Sequence, residues 1–161
     1  MAKEIERKFL LKNENWKTQV DKSFTIKQGY LSTNPERTVR IRIKGKKGIL
    51  TIKGITKGIS RLEYEYEIPF QDAIELLDLC EQPIIEKERY IIIDGKLKWE
   101  IDIFEGINKG LELAEVELES EDQKVNLPNW IEKEVTSDKR YYNSSLIKMP
   151  FKDWKNNKCS F

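Results

Sequence analysis

A short pattern recurs along this chain: a charged residue, an apolar residue, then a second charge of the same sign. It occurs as Glu4-Ile5-Glu6, Arg40-Ile41-Arg42, Glu63-Tyr64-Glu65, Glu100-Ile101-Asp102 and Glu115-Val116-Glu117, and Lys87-Glu88-Arg89 repeats it with a polar centre. Successive side chains of a strand point to opposite faces, so each like-charged pair shares one face about 7 Å apart. Period-two alternation on this scale commits the chain to a mainly β (α+β) fold. The charged faces extend in the same sense, with Lys8 joining Glu4 and Glu6, Lys44 joining Arg40 and Arg42, and Lys53 following Thr51. Their opposite faces are apolar: Val39, Ile41 and Ile43; Leu62, Tyr64, Tyr66 and Ile68; Trp99, Ile101 and Ile103; Ala114, Val116 and Leu118.

Eight strands are predicted, over Lys3–Leu10, Phe24–Leu31, Thr38–Lys44, Gly48–Gly54, Arg61–Pro69, Ile84–Asp94, Lys96–Phe104 and Leu111–Glu119. Gly45-Lys46-Lys47-Gly48 and Asp94-Gly95 read as hairpin turns. Helices are few. One is expected from Asp72, with Glu75 three residues on, to Glu81, burying Ile74, Leu76, Leu77 and Cys80 and stopped by Pro83. A second is expected over Lys139–Lys148, and a weaker helical segment around Trp16. The length of 161 residues suits a single domain over 1–161, ending in a polar tail at 152–161 that is free to fray.

Half-buried antiparallel sheets ordinarily show Lys and Glu to solvent, which accounts for any one of these tripeptides. A solvent face, however, usually mixes signs. Two like charges 7 Å apart cost about 2 kcal/mol at an effective dielectric near 20. Held together, they make sense around counter-ions: a divalent cation for the carboxylates, a polyanion for the basic pairs. Only seven of the 29 basic residues are Arg, yet Arg40, Arg42 and Arg89 all fall in the pairs, and Arg suits bidentate phosphate recognition. In a closed barrel the charged face could line a tunnel while the apolar face met helices and loops outside. Periodicity says which residues share a face, not where that face points.

Composition narrows the chemistry. There is no histidine, which removes Ser/His/Asp and Cys/His catalysis and imidazole-bound zinc or iron. With two cysteines, any metal should be a hard cation on carboxylate oxygen. The 29 basic and 28 acidic side chains leave a net charge of +1, which argues against a nucleic-acid partner. The charged N-terminus is no signal peptide and no apolar run is long enough to span a membrane, so a cytoplasmic protein is expected, with Cys80 and Cys159 as free thiols. The four tryptophans read as core residues, and Lys53-Gly54-Ile55-Thr56-Lys57-Gly58 as a hairpin loop without the order of a phosphate-binding P-loop.

The opening Glu4-Ile5-Glu6-Arg7-Lys8 carries an E-x-E-x-K signature. It is followed by Gln28-Gly29-Tyr30-Leu31, Val39 to Arg42, Thr51 to Gly54, Arg61 to Glu65, Lys87 to Tyr90, Trp99 to Phe104, Ala114 to Leu118 and Asp138 to Tyr141. In this order the series resembles the CYTH superfamily, the triphosphate tunnel metalloenzymes, and most of all its short bacterial members. The resemblance implies an eight-stranded antiparallel closed barrel, with a few flanking helices, binding a linear triphosphate with Mg²⁺ or Mn²⁺. It implies Glu4, Glu6, Glu115 and Glu117 as metal ligands, with Glu63, Glu65 and Asp102 as carboxylates near the metals. It further implies Lys8, Arg40, Arg42, Lys53, Lys87 and Arg89 around the phosphates, Arg140 on a helix that plugs the tunnel, and Tyr30 with Lys87 as a catalytic pair. A homodimer fits the family, though no sequence feature forces one. Without histidine, Lys53 or Lys87 is a candidate acid or base, because neighbouring arginines should lower its pKa. The leading expectation is hydrolysis of tripolyphosphate. The alternatives are a class IV-type adenylyl cyclase, a thiamine or nucleoside triphosphatase, and a non-catalytic barrel binding polyphosphate or RNA.

Overall fold

The computed structural model describes residues 3–154; Cys159 and all but the start of the polar tail lie outside that range. Nine strands follow one another: β1 (Lys3–Leu11), β2 (Lys22–Ser32), β3 (Arg37–Lys44), β4 (Lys47–Gly54), β5 (Ser60–Ile68), β6 (Glu81–Asp94), β7 (Leu97–Phe104), β8 (Glu112–Glu117) and β9 (Ile131–Glu134). They form one antiparallel sheet in the order β5-β4-β3-β2-β6-β7-β8-β1-β9, and a further β5–β1 pairing closes the first eight into a barrel. Each of the eight predicted strands is present within a few residues of its expected ends. The ninth was missed. It is four residues long and pairs with β1 alone, too short for alternation to stand out.

Register decides what faces inward. Gln28 pairs with Arg42, Arg40 with Thr51, Thr38 with Lys53, Lys53 with Glu63, Arg61 with Glu4, Glu6 with Glu117, Lys8 with Glu115, Glu115 with Glu100 and Asp102 with Arg89. Paired residues point to the same side of a sheet. The charged faces are therefore all one surface, and the barrel turns it inward.

The apolar surface lies outside, covered by what the strands connect to. Phe9, Trp99, Ile101 and Val116 pack under Trp16, from a 3₁₀ turn at Asn15–Gln19, and Trp130. Trp99 and Trp130 meet edge to face at 5.3 Å. Helix α1 (Phe70–Leu79) covers β2–β4. It starts after Pro69 and ends before Cys80, so Pro83 does not stop it but lies inside β6. Its buried residues are Ala73 and Leu77, one turn apart, whereas Ile74 faces outward. Ala73 comes so close because β4 offers Gly48, where a Cβ would sit 2.6 Å from Ala73 Cβ. The helix is too short to cover the β4–β5 face, which leaves Ile52, Leu62, Tyr64 and Tyr66 exposed.

The expected helix over Lys139–Lys148 is broken. A 3₁₀ turn at Lys139–Tyr141, in which the Asp138 side chain accepts from the Arg140 N–H, gives way to extended backbone at Tyr142, and only Ser145–Lys148 forms α2. The break lets Tyr141, Leu146 and Ile147 pack beside Tyr30, Ile85, Phe104 and Leu113 and places residues 142–144 in the end of the barrel. Among the described residues no helix is long and apolar enough to cross a membrane. Cys80 is a free, buried thiol.

Candidate active site

The barrel encloses a cavity of about 390 Å³. Of the residues singled out in the sequence, Glu4, Glu6, Lys8, Tyr30, Arg40, Arg42, Lys53, Glu63, Glu65, Arg89, Glu115 and Glu117 all line it. They come from seven of the eight barrel strands, and closure brings them together. At one end Tyr142, Asn143 and Ser144 form a plug. At the other end the lining lysines Lys44 and Lys98 are exposed, so this mouth is open.

Acidic and basic residues meet in defined pairs. Lys53 Nζ lies 2.7 Å from Glu4 Oε2 and 3.5 Å from Glu63. Lys8 Nζ lies 3.5 Å from Glu115 and donates to the plug carbonyl of Tyr141 at 3.1 Å. Arg89 donates to Glu100 at 2.9 Å and to both oxygens of Asp102, at 2.7 and 2.8 Å. Arg40 and Arg42 are different: buried and adjacent on one face, neither forms a salt bridge with a described carboxylate. Arg40 donates to Thr51 Oγ1 and Arg42 to Gln28 Oε1, both neutral acceptors.

The proton affinities follow from this crowding. Burial, aided by Arg89 and Arg42 against the pull of Asp102, lowers Lys87 to about 7. Burial, aided by Arg40 and Arg61 against Glu4, lowers Lys53 to about 8. These are the two lysines expected to be depressed, with burial acting ahead of the arginines. Burial together with Arg40 and Arg89 brings Arg42 down to about 9. Among the carboxylates, burial and the neighbouring Glu115 and Glu4 push Glu6 well above the usual range. Burial would also raise Glu4 and Glu115, but Lys53 and Lys8 respectively hold them at about 2.

That acidic wall suits a hard cation. Glu6 is destabilised as an anion by burial and by its own neighbours, and Glu4 Oε1 is buried with no hydrogen-bond donor among the described residues. Among the described residues no three carboxylates converge tightly enough to enclose an ion alone. Mg²⁺ does not require that, since it commonly keeps waters and takes one or two carboxylates plus substrate phosphate.

Three expected residues lie elsewhere. Lys87 and Asp102 sit behind the cavity surface, with side chains 0% and 1% exposed, joined at 2.6 Å. Asp102 accepts from both Lys87 and Arg89, which holds it well below the usual carboxylate range despite its burial. Arg140 does not line the cavity. Because the expected helix is broken, it turns outward, paired with Asp138 at 2.7 Å and stacked near the rings of Tyr141 and Trp154. Arg61, Gln28 and Asn143 belong to the site and were not assigned to it from sequence. Arg61 stands two residues before Glu63 and Gln28 two before Tyr30, so the same alternation carries both inward. Asn143 is in a loop, where no periodicity signals it.

A closed antiparallel barrel with a partly unpaired arginine wall facing a crowded carboxylate wall defines a class: a tunnel protein built to take a polyanion together with a hard cation. The CYTH domain family model matches residues 2–150, and the chain belongs to that family. An inorganic triphosphatase of Acetivibrio thermocellus is 47% identical over 156 residues, covering 96% of this chain and 99% of the relative. An inorganic triphosphatase of Nitrosomonas europaea is 38% identical over 148 residues, covering 89% and 95%. A crystal structure of an inorganic triphosphatase superposes with a TM-score of 0.64 at 34% identity, covering 91% of this chain and 95% of the other.

Proposed function

We propose that this chain is a divalent-cation-dependent hydrolase of linear triphosphates, with inorganic tripolyphosphate its foremost substrate, cleaved by water to pyrophosphate and phosphate. The observation that carries this reading is the pair Arg40–Arg42, buried in the lumen without a carboxylate partner among the described residues and opposite the crowded Glu4–Glu6–Glu115 wall. A linear triphosphate carries several negative charges, and fixing it in line is most of the catalytic work in phosphoryl transfer. In this reading Arg40, Arg42, Lys53, Lys8 and Arg89 hold the phosphates, while Lys87 and Tyr30 act on them towards the plug end. Glu4, Glu6, Glu115 and Glu117 would hold Mg²⁺ or Mn²⁺, with Glu63 and Glu65 beside them. Such an ion, when bound, polarises phosphate oxygen and acidifies water. Asp102, saturated by Lys87 and Arg89, serves as an orienting carboxylate, and Arg140 has no part in holding substrate. Lys53 and Lys87, with pKa values of about 8 and about 7, are the residues able to exchange a proton near neutrality. The free, buried Cys80 suits a reducing cytoplasm.

The test is turnover by the pure protein. Tripolyphosphate, ATP, thiamine triphosphate and pyrophosphate are each supplied with Mg²⁺, Mn²⁺ or EDTA, and phosphate and cyclic AMP are measured. Metal-dependent phosphate release, fastest with tripolyphosphate, is expected. Cyclic AMP as the main product, or no metal-dependent turnover of any triphosphate, overturns the reading.

A further inference from the structure

Lys87 is held from two sides. Its ammonium donates at 2.6 Å to Asp102 Oδ2, within the wall, and at 3.0 Å to Oδ1 of Asn143, which lines the lumen from the plug. Gln28, fully buried, donates through Nε2 to the same Asn143 oxygen at 3.0 Å and accepts from Arg42 Nε at 2.8 Å. The two amides have no freedom to turn. Arg42 is a donor only, so Gln28 must show it its oxygen and turn its amide hydrogens to Asn143, whose oxygen then also faces the Lys87 ammonium. The Gln28 amide hydrogens then complete the chain. With Asp102 as its sole acceptor, Lys87 would be drawn into the wall beside Arg89; Asn143 pulls from the lumen side.

We propose that Asn143, oriented by Gln28, is a positioning residue that holds the Lys87 ammonium at the lumen boundary for phosphoryl transfer. The inference rests on the reading of the chain as a triphosphatase in which Lys87 acts on the phosphates. It gives the plug a share in the reaction beyond closing the barrel, because the plug carries the acceptor. Replacing that acceptor should slow chemistry without loosening substrate, which Arg40 and Arg42 hold independently.

The experiment measures kcat and KM for tripolyphosphate, and the melting temperature, in the wild type, Asn143→Leu, Asn143→Asp and Gln28→Glu. Asn143→Leu keeps the side-chain shape and removes the acceptor. It should lower kcat at least tenfold with KM within threefold and the melting temperature within a few degrees. Asn143→Asp keeps an oxygen towards Lys87 and should recover most of that loss. Gln28→Glu keeps the acceptor for Arg42 but presents oxygen to Asn143, turning that amide round, and should lower kcat as Asn143→Leu does. Undiminished kcat in Asn143→Leu, or a loss of kcat that tracks a fall in melting temperature and is not recovered by Asn143→Asp, overturns the proposal. A wild type with no turnover fails the triphosphatase reading itself, whereas an active wild type with an equally active Asn143→Leu fails this inference alone.

Discussion

The ion triad behind the lumen wall yields the sharpest prediction. Asp102 accepts hydrogen bonds from Lys87 at 2.6 Å and from Arg89 at 2.7 and 2.8 Å, and all three side chains are almost wholly removed from water. Asp102→Asn keeps the size and one acceptor but removes the charge, leaving Lys87 and Arg89 facing each other beside Arg42, with Arg89 still bonded to Glu100 at 2.9 Å and Lys87 left without a carboxylate among the described residues. Deleting one member of a buried ion pair typically costs 3–5 kcal/mol, because the remaining charge is unpaired and dehydrated. Lys87 can escape part of this by releasing its proton, which Arg89 cannot do, so about 3 kcal/mol is the expected loss near pH 7. At roughly 2–4 °C per kcal/mol for a chain this long, the melting temperature should fall by about 6–12 °C. The pH dependence has a definite sign. Asp102 has its folded pKa well below the ordinary aspartate value, so its stabilisation is present in full above that ordinary value and lost as pH falls towards the folded one. Because the variant escapes by releasing the Lys87 proton, the gap between wild type and variant should widen as pH falls from 7 to 5, while the part due to the Asp102 charge itself is lost only below pH 4. Lys87 carries a penalty in place of a stabilisation, but stability again rises with pH. Its folded pKa, about 7 against 10.5, penalises the fold in full below pH 7 and progressively less as pH rises. The assay is thermal unfolding followed by near-ultraviolet circular dichroism. A variant melting within 2 °C of the wild type at pH 7 would refute the reasoning.

The remaining predictions concern the lumen. Glu6→Gln and Lys8→Ala should each lose at least about 100-fold in metal-dependent turnover, the scale expected for removing one preorganised electrostatic group. Both should still fold, and Glu6→Gln should melt no lower than wild type, since it relieves repulsion from Glu4 and Glu115; wild-type turnover in either would place that residue outside the machinery. Lys53, which holds phosphate, loses charge as pH rises through about 8, so KM for tripolyphosphate should climb between pH 7 and 9.5, and a flat KM profile would contradict the assignment. Arg140→Ala should leave kcat and KM within twofold of wild type, because Arg140 points away from the lumen towards Asp138.

Much of this was legible before any coordinates. Side chains alternate strictly along a strand, so Glu4, Glu6 and Lys8 had to share a face, as did Arg40 and Arg42, and the lack of histidine left oxygen ligands for any metal. These are local facts, carried by two-residue spacing and residue type. Gln28 and Arg61 were readable by the same rule, two places from residues already marked. The pattern failed where the backbone leaves the strand. The ninth strand is four residues long, the C-terminal helix is interrupted at Tyr142, and Arg140 accordingly faces out while Asn143 faces in. Which way the charged faces point was decided by closure: the β5–β1 pairing joins residues some sixty positions apart, and only then do acidic and basic strands meet across a lumen. The separation of Lys87 and Asp102 from the cavity surface is likewise a matter of depth, which periodicity does not encode. Residue order is enough to assign each side chain to a face and to limit the chemistry to hard, oxygen-based ligands. Tertiary structure alone decided inside from outside, because that depends on non-local strand pairing and on the plug that fills one end.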